Sequence, residues 1–272
     1  MSKKKVTQGK STLRGLRQPS GPNSPEPKAS RPDAPRHSTA QQQMLNVDQA
    51  LDIAAQYHAA GDLASAQTLC NRILQKWPNQ PVAINLLGII AYQLGKHDSA
   101  VSCFSQAINI SPDYSDAHYN LGNAHKALGR LEEAIANYGR TLELKADHFD
   151  AHYNLGNTHK ALGRLDQALA HYRQALEIKP DFADAHNNSG SVLKALGKLD
   201  EALACYRKAV HYSPDYAAAQ YNLGTTLQAL DRHAEAIAHY QKAISIRPDL
   251  AVAHSNLGTA LRVTGRLEEA LA

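Results

Sequence analysis

The stretch AHYNLGNAHKALGRL, which runs from Ala117 to Leu131, returns at Ala151 to Leu165 with a single residue changed. The interval between the two copies is 34 residues. A glycine at one place in the block recurs at the same interval along much of the chain: Gly88, Gly122, Gly156, Gly190, Gly224 and Gly258. A fixed period of this length is typical of repeat proteins, in which each unit is one supersecondary element stacked on its neighbours. The sequence therefore predicts a solenoid.

Each period contains two amphipathic helices. In one unit Ala117, Leu121, Ala124 and Leu128 follow helical spacing and form the apolar stripe of a first helix. A second stripe begins after Gly129 and continues to Leu144. The turn between them carries a residue suited to positive φ, which is glycine in six units and aspartate in one. These residues are Gly61, Gly95, Gly129, Gly163, Gly197, Asp231 and Gly265. The pattern predicts an all-α fold of helix-turn-helix units.

Two finer expectations concern packing and capping. The recurring glycine, such as Gly156, lies inside a helix, where it costs about 1 kcal/mol relative to alanine. This repeated cost implies close packing, and we expect the small partner to be the alanine twelve residues later, such as Ala168. Aspartates that follow the unit-ending prolines, such as Asp181 and Asp215, are expected to cap the next helix.

These residues resemble the tetratricopeptide repeat (TPR) family. One unit carries the matching small, aromatic and proline positions in full: Gly224, Leu227, Ala236, Tyr240, Ala243 and Pro248. The resemblance implies a right-handed α-solenoid over residues 44–272. The predicted units are 47–80, 81–114, 115–148, 149–182, 183–216, 217–250 and a partial unit at 251–272. Because that last unit stops within its second helix, we expect the chain to be a fragment of a longer protein.

The first 43 residues differ from the rest in composition. They hold six of the twelve prolines and nine basic residues against two acidic ones, whereas the remainder has more acidic than basic residues. A segment with so few large apolar side chains cannot offset its ordering entropy, so we predict a disordered basic tail at 1–43. Nucleic-acid binding is expected at most weakly, through this tail.

No combination of residues points to catalysis. The sequence contains no nucleophile elbow, phosphate-binding glycine loop or HExxH motif, so we expect no enzyme activity and no cofactor. Cys70, Cys103 and Cys205 lack the spacing of a metal site, and the histidine pairs lie seven residues apart, so no metal is expected. No apolar run is long enough to cross a membrane and no signal peptide is evident, which favours a cytoplasmic protein without membrane contact.

An asparagine series is the most informative feature for function. An asparagine stands two residues before the recurring glycine in five units, although asparagine is a mediocre helix former. With neighbouring asparagines and lysines it forms a stripe opposite the apolar one. Amide groups both donate and accept hydrogen bonds, so such a stripe suits the backbone of an extended peptide. The predicted peptide-binding residues are Asn120, Asn123, Lys126, Asn154, Asn157, Lys160, Asn188, Lys194, Asn222 and Asn256.

Recent duplication offers a competing explanation for the series. Units 115–148 and 149–182 are so alike that copying alone accounts for the asparagines they share. Asn188, Asn222 and Asn256 nevertheless persist in more diverged units, which favours binding. Replacing the series with alanine is then expected to abolish binding without loss of stability, because alanine is the better helix former.

The series is similar to the asparagine-lined superhelix of O-linked N-acetylglucosamine transferases, whose repeats recruit protein substrates. The predicted function is accordingly a protein-interaction scaffold that binds an extended partner segment in its concave groove. The alternative is the substrate-recruiting part of a larger enzyme, such as a protein glycosyltransferase.

Overall fold

The helix-turn-helix repeat is the sole structural theme of the described chain. A computed structural model describes residues 46–271, and the predicted tail at 1–43 lies outside these residues. The described residues form helices and no strand, which confirms the all-α repeat fold. They group into two compact units, the first ending at Asn137 and the second beginning at Tyr138.

Fourteen helices follow one another over residues 46–271, and they alternate between the first and second helix of a repeat. Their bounds are α1 Val47–Ala59, α2 Leu63–Lys76, α3 Pro81–Gln93, α4 His97–Ile110, α5 Ser115–Ala127, α6 Leu131–Leu144, α7 Phe149–Ala161, α8 Leu165–Ile178, α9 Ala183–Ala195, α10 Leu199–Tyr212, α11 Ala217–Ala229, α12 His233–Ile246, α13 Ala251–Val263 and α14 Leu267–Leu271.

Within each of the two compact units, a helix packs against its sequence neighbours, and the first helices of successive repeats also contact each other. In the first unit α3 contacts α2, α4 and both neighbouring first helices, α1 and α5. In the second unit α7, α9, α11 and α13 contact one another in succession. First helices therefore form a continuous layer within each unit, and second helices lie along one side of it.

The turn inside each repeat follows the predicted chemistry. Gly163 has φ 71°, its N–H donates to the Lys160 carbonyl, and the next N–H, of Arg164, donates back to the His159 carbonyl. This is the Schellman arrangement, which satisfies carbonyls at the end of a helix. Asp231 adopts φ 58° at the corresponding place, as its residue type allows.

An aromatic ring, not the expected alanine, is the nearest side chain to the glycine inside four of the first helices: Gly88, Gly156, Gly190 and Gly224. A Cβ built on Gly156 would lie 2.5 Å from the Tyr172 ring, and one on Gly224 would lie 2.7 Å from the Tyr240 ring. The rings are sixteen residues after the glycine and fully buried. The alanines twelve residues after it, including Ala168, are also buried but do not fill this space. The glycine therefore admits the flat face of a tyrosine between the two helices of a repeat.

The expected aspartate caps are wrong by one residue. The N-cap positions of α5, α9 and α11 are Tyr114, Phe182 and Tyr216, and none of their side chains caps the helix. The preceding proline and aspartate belong to the turn, so the helix begins one residue later. This shift turns an aromatic ring towards the first-helix layer, where two of the rings receive hydrogen bonds. Asn85 Nδ2 donates to the Tyr114 hydroxyl, and Asn187 Nδ2 donates to the Tyr216 hydroxyl.

Candidate functional site

The predicted site residues all lie on first helices. In the second unit Asn154, Asn157 and Lys160 lie on α7, and Asn188 and Lys194 lie on α9. Asn222 and Asn256 occupy corresponding places on α11 and α13. We call this side of the four helices the ladder face. In the first unit Asn120, Asn123 and Lys126 occupy the corresponding side of α5.

Hydrogen bonds join the asparagines to the preceding first helix. Asn188 Nδ2 donates to the Tyr153 hydroxyl at 3.1 Å, and Asn256 Nδ2 donates to the Tyr221 hydroxyl at 3.2 Å. Asn222 Nδ2 donates to Asn187 Oδ1 at 2.9 Å. Each partner is 35 residues back, which is one repeat plus one residue. The asparagines therefore form an interlocked ladder between repeats.

The same connection exists in the first unit. There Asn120 Nδ2 donates to Asn85 Oδ1 at 3.2 Å, again across 35 residues. The accepting residues Asn85, Tyr153, Asn187 and Tyr221 were not among the predicted site residues. In the sequence, three of these residues stand directly before an asparagine of the series: Tyr153, Asn187 and Tyr221. Asn85 stands one repeat before Tyr119, the residue that precedes Asn120.

Asn157 connects the ladder to the buried core. Its Oδ1 accepts from the Tyr172 hydroxyl at 2.8 Å and from Asn188 Nδ2 at 3.1 Å. Tyr172 is the ring that packs on Gly156, and burial raises the pKa of its phenol, so the group remains a donor at neutral pH. The position of Asn157 is therefore set by the core of its own repeat.

Burial divides the predicted residues into two groups. Asn120, Asn123 and Asn154 are 1%, 6% and 5% exposed, so their amides are shielded from a ligand in solution. The remaining members are partly exposed: Lys126, Asn157, Lys160, Asn188, Lys194, Asn222 and Asn256. The accessible part of the predicted site is thus concentrated in the second unit.

The ladder leaves acceptor oxygens available in the second unit. Asn188, Asn222 and Asn256 use their amide nitrogens in the bonds described above. Their Oδ1 atoms accept no hydrogen bond from any residue between 46 and 271, and the three residues are partly exposed. Since a carbonyl oxygen has two lone pairs, these three atoms can accept from backbone N–H groups of a ligand.

Lysines line the C-terminal end of the same helices. Burial lowers the pKa of Lys126, Lys160 and Lys194, because the surrounding protein disfavours the charged form. The Lys194 Nζ donates to Thr225 Oγ1 on α11 at 2.8 Å. The Lys194 ammonium is therefore held in place on the ladder face, where an anionic group of a ligand could contact it.

The histidines serve the repeat turns. Nε2 of His118, His186 and His254 lies 2.8–2.9 Å from the carbonyl oxygen of the proline six residues earlier. His152 makes the same contact with the Ala146 carbonyl, and Gln220 donates to the Pro214 carbonyl in the repeat that lacks the histidine. Among the residues the structure describes, no group of three or more His, Cys, Asp or Glu side chains is placed to hold a metal ion.

Three histidines meet between α7 and α8. The Nδ1 atoms of His152 and His171 are 3.4 Å apart, and the rings of His159 and His171 stack with centroids at 5.4 Å. The Nε2 of His152 must carry a proton to donate to a carbonyl, so its Nδ1 accepts and His171 Nδ1 donates. Burial, followed by the proximity of His159 and His152, lowers the pKa of His171 to about 4. His171 is therefore neutral at physiological pH.

The three thiols have a chemistry set by their burial. Burial raises the pKa of Cys70 to about 12 and also raises the pKa values of Cys103 and Cys205, which makes all three poor nucleophiles. An open cavity of about 480 Å³ is lined by residues of α8, α9 and α10, among them Arg173, Glu177, Glu201 and Lys208. None of the described helices is long and apolar enough to cross a membrane.

Comparison with known families gives one consistent result. Models with the description TPR repeat match residues 88–129, 122–163 and 156–197. Models with the description tetratricopeptide repeat match residues 181–249 and 251–272.

One relative is similar to a shorter segment of the chain. The chain is 33% identical over 79 residues to the probable UDP-N-acetylglucosamine–peptide N-acetylglucosaminyltransferase SEC of Arabidopsis thaliana. This match covers 29% of the chain and 8% of the plant protein, so the chain corresponds to a small part of that relative.

Solved structures share the fold. YrrB, described as a TPR protein with an unusual peptide-binding site, has a TM-score of 0.60 at 23% identity, covering 68% of this chain and 95% of YrrB. MamA has a TM-score of 0.56 at 26% identity, covering 61% and 97%. A chain of the APC/C hetero-tetramer Cut9–Hcn1 has a TM-score of 0.63 at 19% identity, covering 79% and 43%. With the family models matching most of its length, the chain belongs to the tetratricopeptide repeat family.

Proposed function

We propose that this chain is a protein-interaction module and not itself an enzyme, and that its ladder face binds an extended segment of a partner protein. The observation that carries the proposal is the row of accepting oxygens on Asn188, Asn222 and Asn256. The three asparagines lie on successive first helices and are partly exposed, and their Oδ1 atoms accept no hydrogen bond from residues 46–271. An extended peptide presents backbone N–H groups at regular spacing and needs such acceptors.

The hydrogen bonds within the ladder favour recognition of backbone over recognition of one side chain. Asn188 is held by Tyr153 and Asn157, so its oxygen is oriented before a ligand arrives. Preorganised groups lose less side-chain entropy on binding. The lysines at positions 160 and 194 add a cationic edge for acidic side chains or for a terminal carboxylate. YrrB, which has this fold, is described with a peptide-binding site.

The experiment is selection of a random library of 12-residue peptides on the whole chain, followed by affinity measurement with a steric variant. Ser191 lies between Asn188 and Lys194 on the exposed side of α9 and takes part in none of the ladder bonds described above. The change Ser191→Trp is expected to weaken the affinity for the peptide by at least about tenfold, because the indole would occupy the space through which the peptide runs. Arg173→Trp, on the exposed side of α8, is the matched control and is expected to bind as the unchanged chain does.

Two results would refute the proposal. One is a selection that enriches no peptide on the unchanged chain. The other is full affinity in Ser191→Trp, which would place the peptide elsewhere on the molecule.

A second candidate function is recruitment of substrates to a catalytic domain in a longer protein. It is supported by the match to the plant N-acetylglucosaminyltransferase, within the length limits given above. The coding sequence after Ala272 tests it. A nucleotide-sugar-binding domain there would support substrate recruitment, and a stop codon after a capping helix would exclude it.

A further inference from the structure

An aromatic corner lies beside the ladder at the start of α7 and α9. The rings of Phe149 and Tyr153 are parallel, with an interplanar angle of 3° and centroids 6.4 Å apart. The Phe182 ring stands perpendicular to both, at 89° and 4.9 Å from Phe149 and at 87° and 5.0 Å from Tyr153. All three side chains are half-buried, so part of each ring reaches solvent. We call these three residues the aromatic corner.

A cation of the chain already uses the aromatic corner. The Lys179 Nζ lies 5.1 Å from the Phe182 centroid and 5.6 Å from the Phe149 centroid, over both rings. An ammonium within about 6 Å of a ring face is attracted by the quadrupole of the ring. The ring faces of the corner are thus accessible to a charged side chain and hold one in this structure.

Two carboxylates are close in sequence to the residues of the aromatic corner. Asp150 follows Phe149 in the first turn of α7, and Asp184 lies in the first turn of α9. Burial is the main cause that raises the pKa of Tyr216, and Asp184 contributes to it, which places this carboxylate near the Tyr216 phenol. Asp184 also contributes to the raised pKa of Tyr153. Aromatic faces with nearby carboxylates favour a cation over a neutral or anionic group.

The aromatic corner is continuous with the ladder. The Tyr153 hydroxyl accepts from Asn188 Nδ2 at 3.1 Å, and Asn188 carries one of the free acceptor oxygens. A ligand whose backbone meets Asn188 therefore has side chains within reach of the corner.

We propose that the aromatic corner of Phe149, Tyr153 and Phe182, with Asp184, binds a lysine or arginine side chain of the segment held by the ladder. The inference rests on the proposed function and names a chemical feature of the partner. Lys179 occupies the place that the partner's cation takes, and it moves towards solvent on binding.

The repeats make this a single site within residues 46–271. None of the residues at the positions corresponding to Phe149 has an aromatic ring: Val47, Pro81, Ser115, Ala183, Ala217 and Ala251. The cation of the partner is therefore recognised at one position of the bound segment, which sets its register on an otherwise repetitive face.

The test uses the peptides selected from the random 12-residue library on the whole chain. One fixed position is expected to be enriched in lysine or arginine. Changing that residue to glutamine in the peptide is expected to weaken binding to the unchanged chain by about fivefold to thirtyfold. The same change is expected to cost less than about twofold against Phe149→Ser, which copies the residue found at Ser115 in the nearly identical repeat. Lys179→Ala is expected to tighten binding of the cationic peptide, because it empties the corner.

The outcomes separate the inference from the proposed function. Enriched peptides without a cationic position, or an equal cost of the glutamine change against both chains, would overturn the inference and leave ladder binding intact. Failure to enrich any peptide would overturn both. Circular dichroism and melting show whether Phe149→Ser is folded, and Asp184→Asn, which removes the charge and keeps the shape, replaces it if it is not.

Discussion

Asn188 and Asn157 share a hydrogen bond across two repeats, with Nδ2 of the first donating to Oδ1 of the second at 3.1 Å. Asn157 also accepts a hydrogen bond from the core residue Tyr172. The two bonds together connect the ladder face to the buried core between α7 and α8. The asparagines therefore have a structural role in addition to the binding role predicted for them. Replacing one of these asparagines is therefore expected to affect both stability and binding.

Asn188→Ala is expected to destabilise the protein by about 1–2 kcal/mol. The change removes both hydrogen bonds to α7 and leaves the Asn157 oxygen and the Tyr153 hydroxyl with one partner fewer, which outweighs the better helix propensity of alanine. Urea denaturation measures the difference. Asn71→Ala, at an exposed site on α2, is the control and is expected to change the free energy of unfolding by no more than about 0.5 kcal/mol. Equal stability of Asn188→Ala and the unchanged chain would show that the ladder bonds contribute nothing net.

Gly156→Ala and Gly139→Ala are expected to act in opposite directions. A methyl group at position 156 would lie 2.5 Å from the Tyr172 ring, so overpacking is expected to cost about 1–3 kcal/mol. At position 139 a Cβ meets nothing within 4 Å, and alanine is expected to stabilise helix α6 by about 0.5–1 kcal/mol. Thermal melting of both variants checks the pair. A stabilised Gly156→Ala would mean that the glycine is not required by the tyrosine.

His186→Gln is expected to be nearly neutral, whereas His186→Ala is expected to cost about 1 kcal/mol. Glutamine at the corresponding Gln220 makes the same bond to a proline carbonyl, at 3.0 Å against 2.8 Å for His186, and alanine cannot make it. Denaturant unfolding of both variants distinguishes a hydrogen-bonding role from a packing role. If the two variants are equally destabilised, stacking of His186 on Tyr212 is the contribution that matters.

The histidine cluster is expected to make stability depend on pH between about 6.5 and 4. The pKa of His171 falls from an ordinary value of 6.5 to about 4 on folding, so the unfolded chain binds the proton more readily in this range. The contribution of His171 is therefore complete above pH 6.5 and is lost as the pH falls towards 4. After allowance for solvent screening, the loss is expected to be about 1 kcal/mol.

His171→Asn is the variant that isolates this effect. Asparagine stands at the corresponding position 137 of the preceding repeat, so the helix tolerates it. Melting temperatures of the two proteins are expected to converge as the pH is lowered from 7 to 4. Parallel curves would show that His171 does not titrate with a lowered pKa.

Prediction succeeded best where a feature depends on residues close together in the chain. The two stripes around Gly129 and the positive φ at Gly163 and Asp231 follow from local spacing and from residue type. The aspartate caps were wrong because a proline and an aspartate can begin a turn as well as a helix, and the choice depends on where the aromatic N-cap residue packs. The alanine partner of Gly156 was wrong because both Ala168 and Tyr172 lie on the facing side of α8, and only the packed distance decides between them.

The sequence by itself determined the period, the helix pairs and the residues that share a face, because each of these depends on helical spacing within one repeat. The tertiary structure decided how the shared face is used. Ladder bonds pair residues 35 apart, not 34, since neighbouring first helices pack with an offset of one residue. The aromatic corner joins residues on α7 and at the start of α9, which no local pattern relates. Such contacts depend on the angle and distance between helices, and these are set by packing of the whole layer.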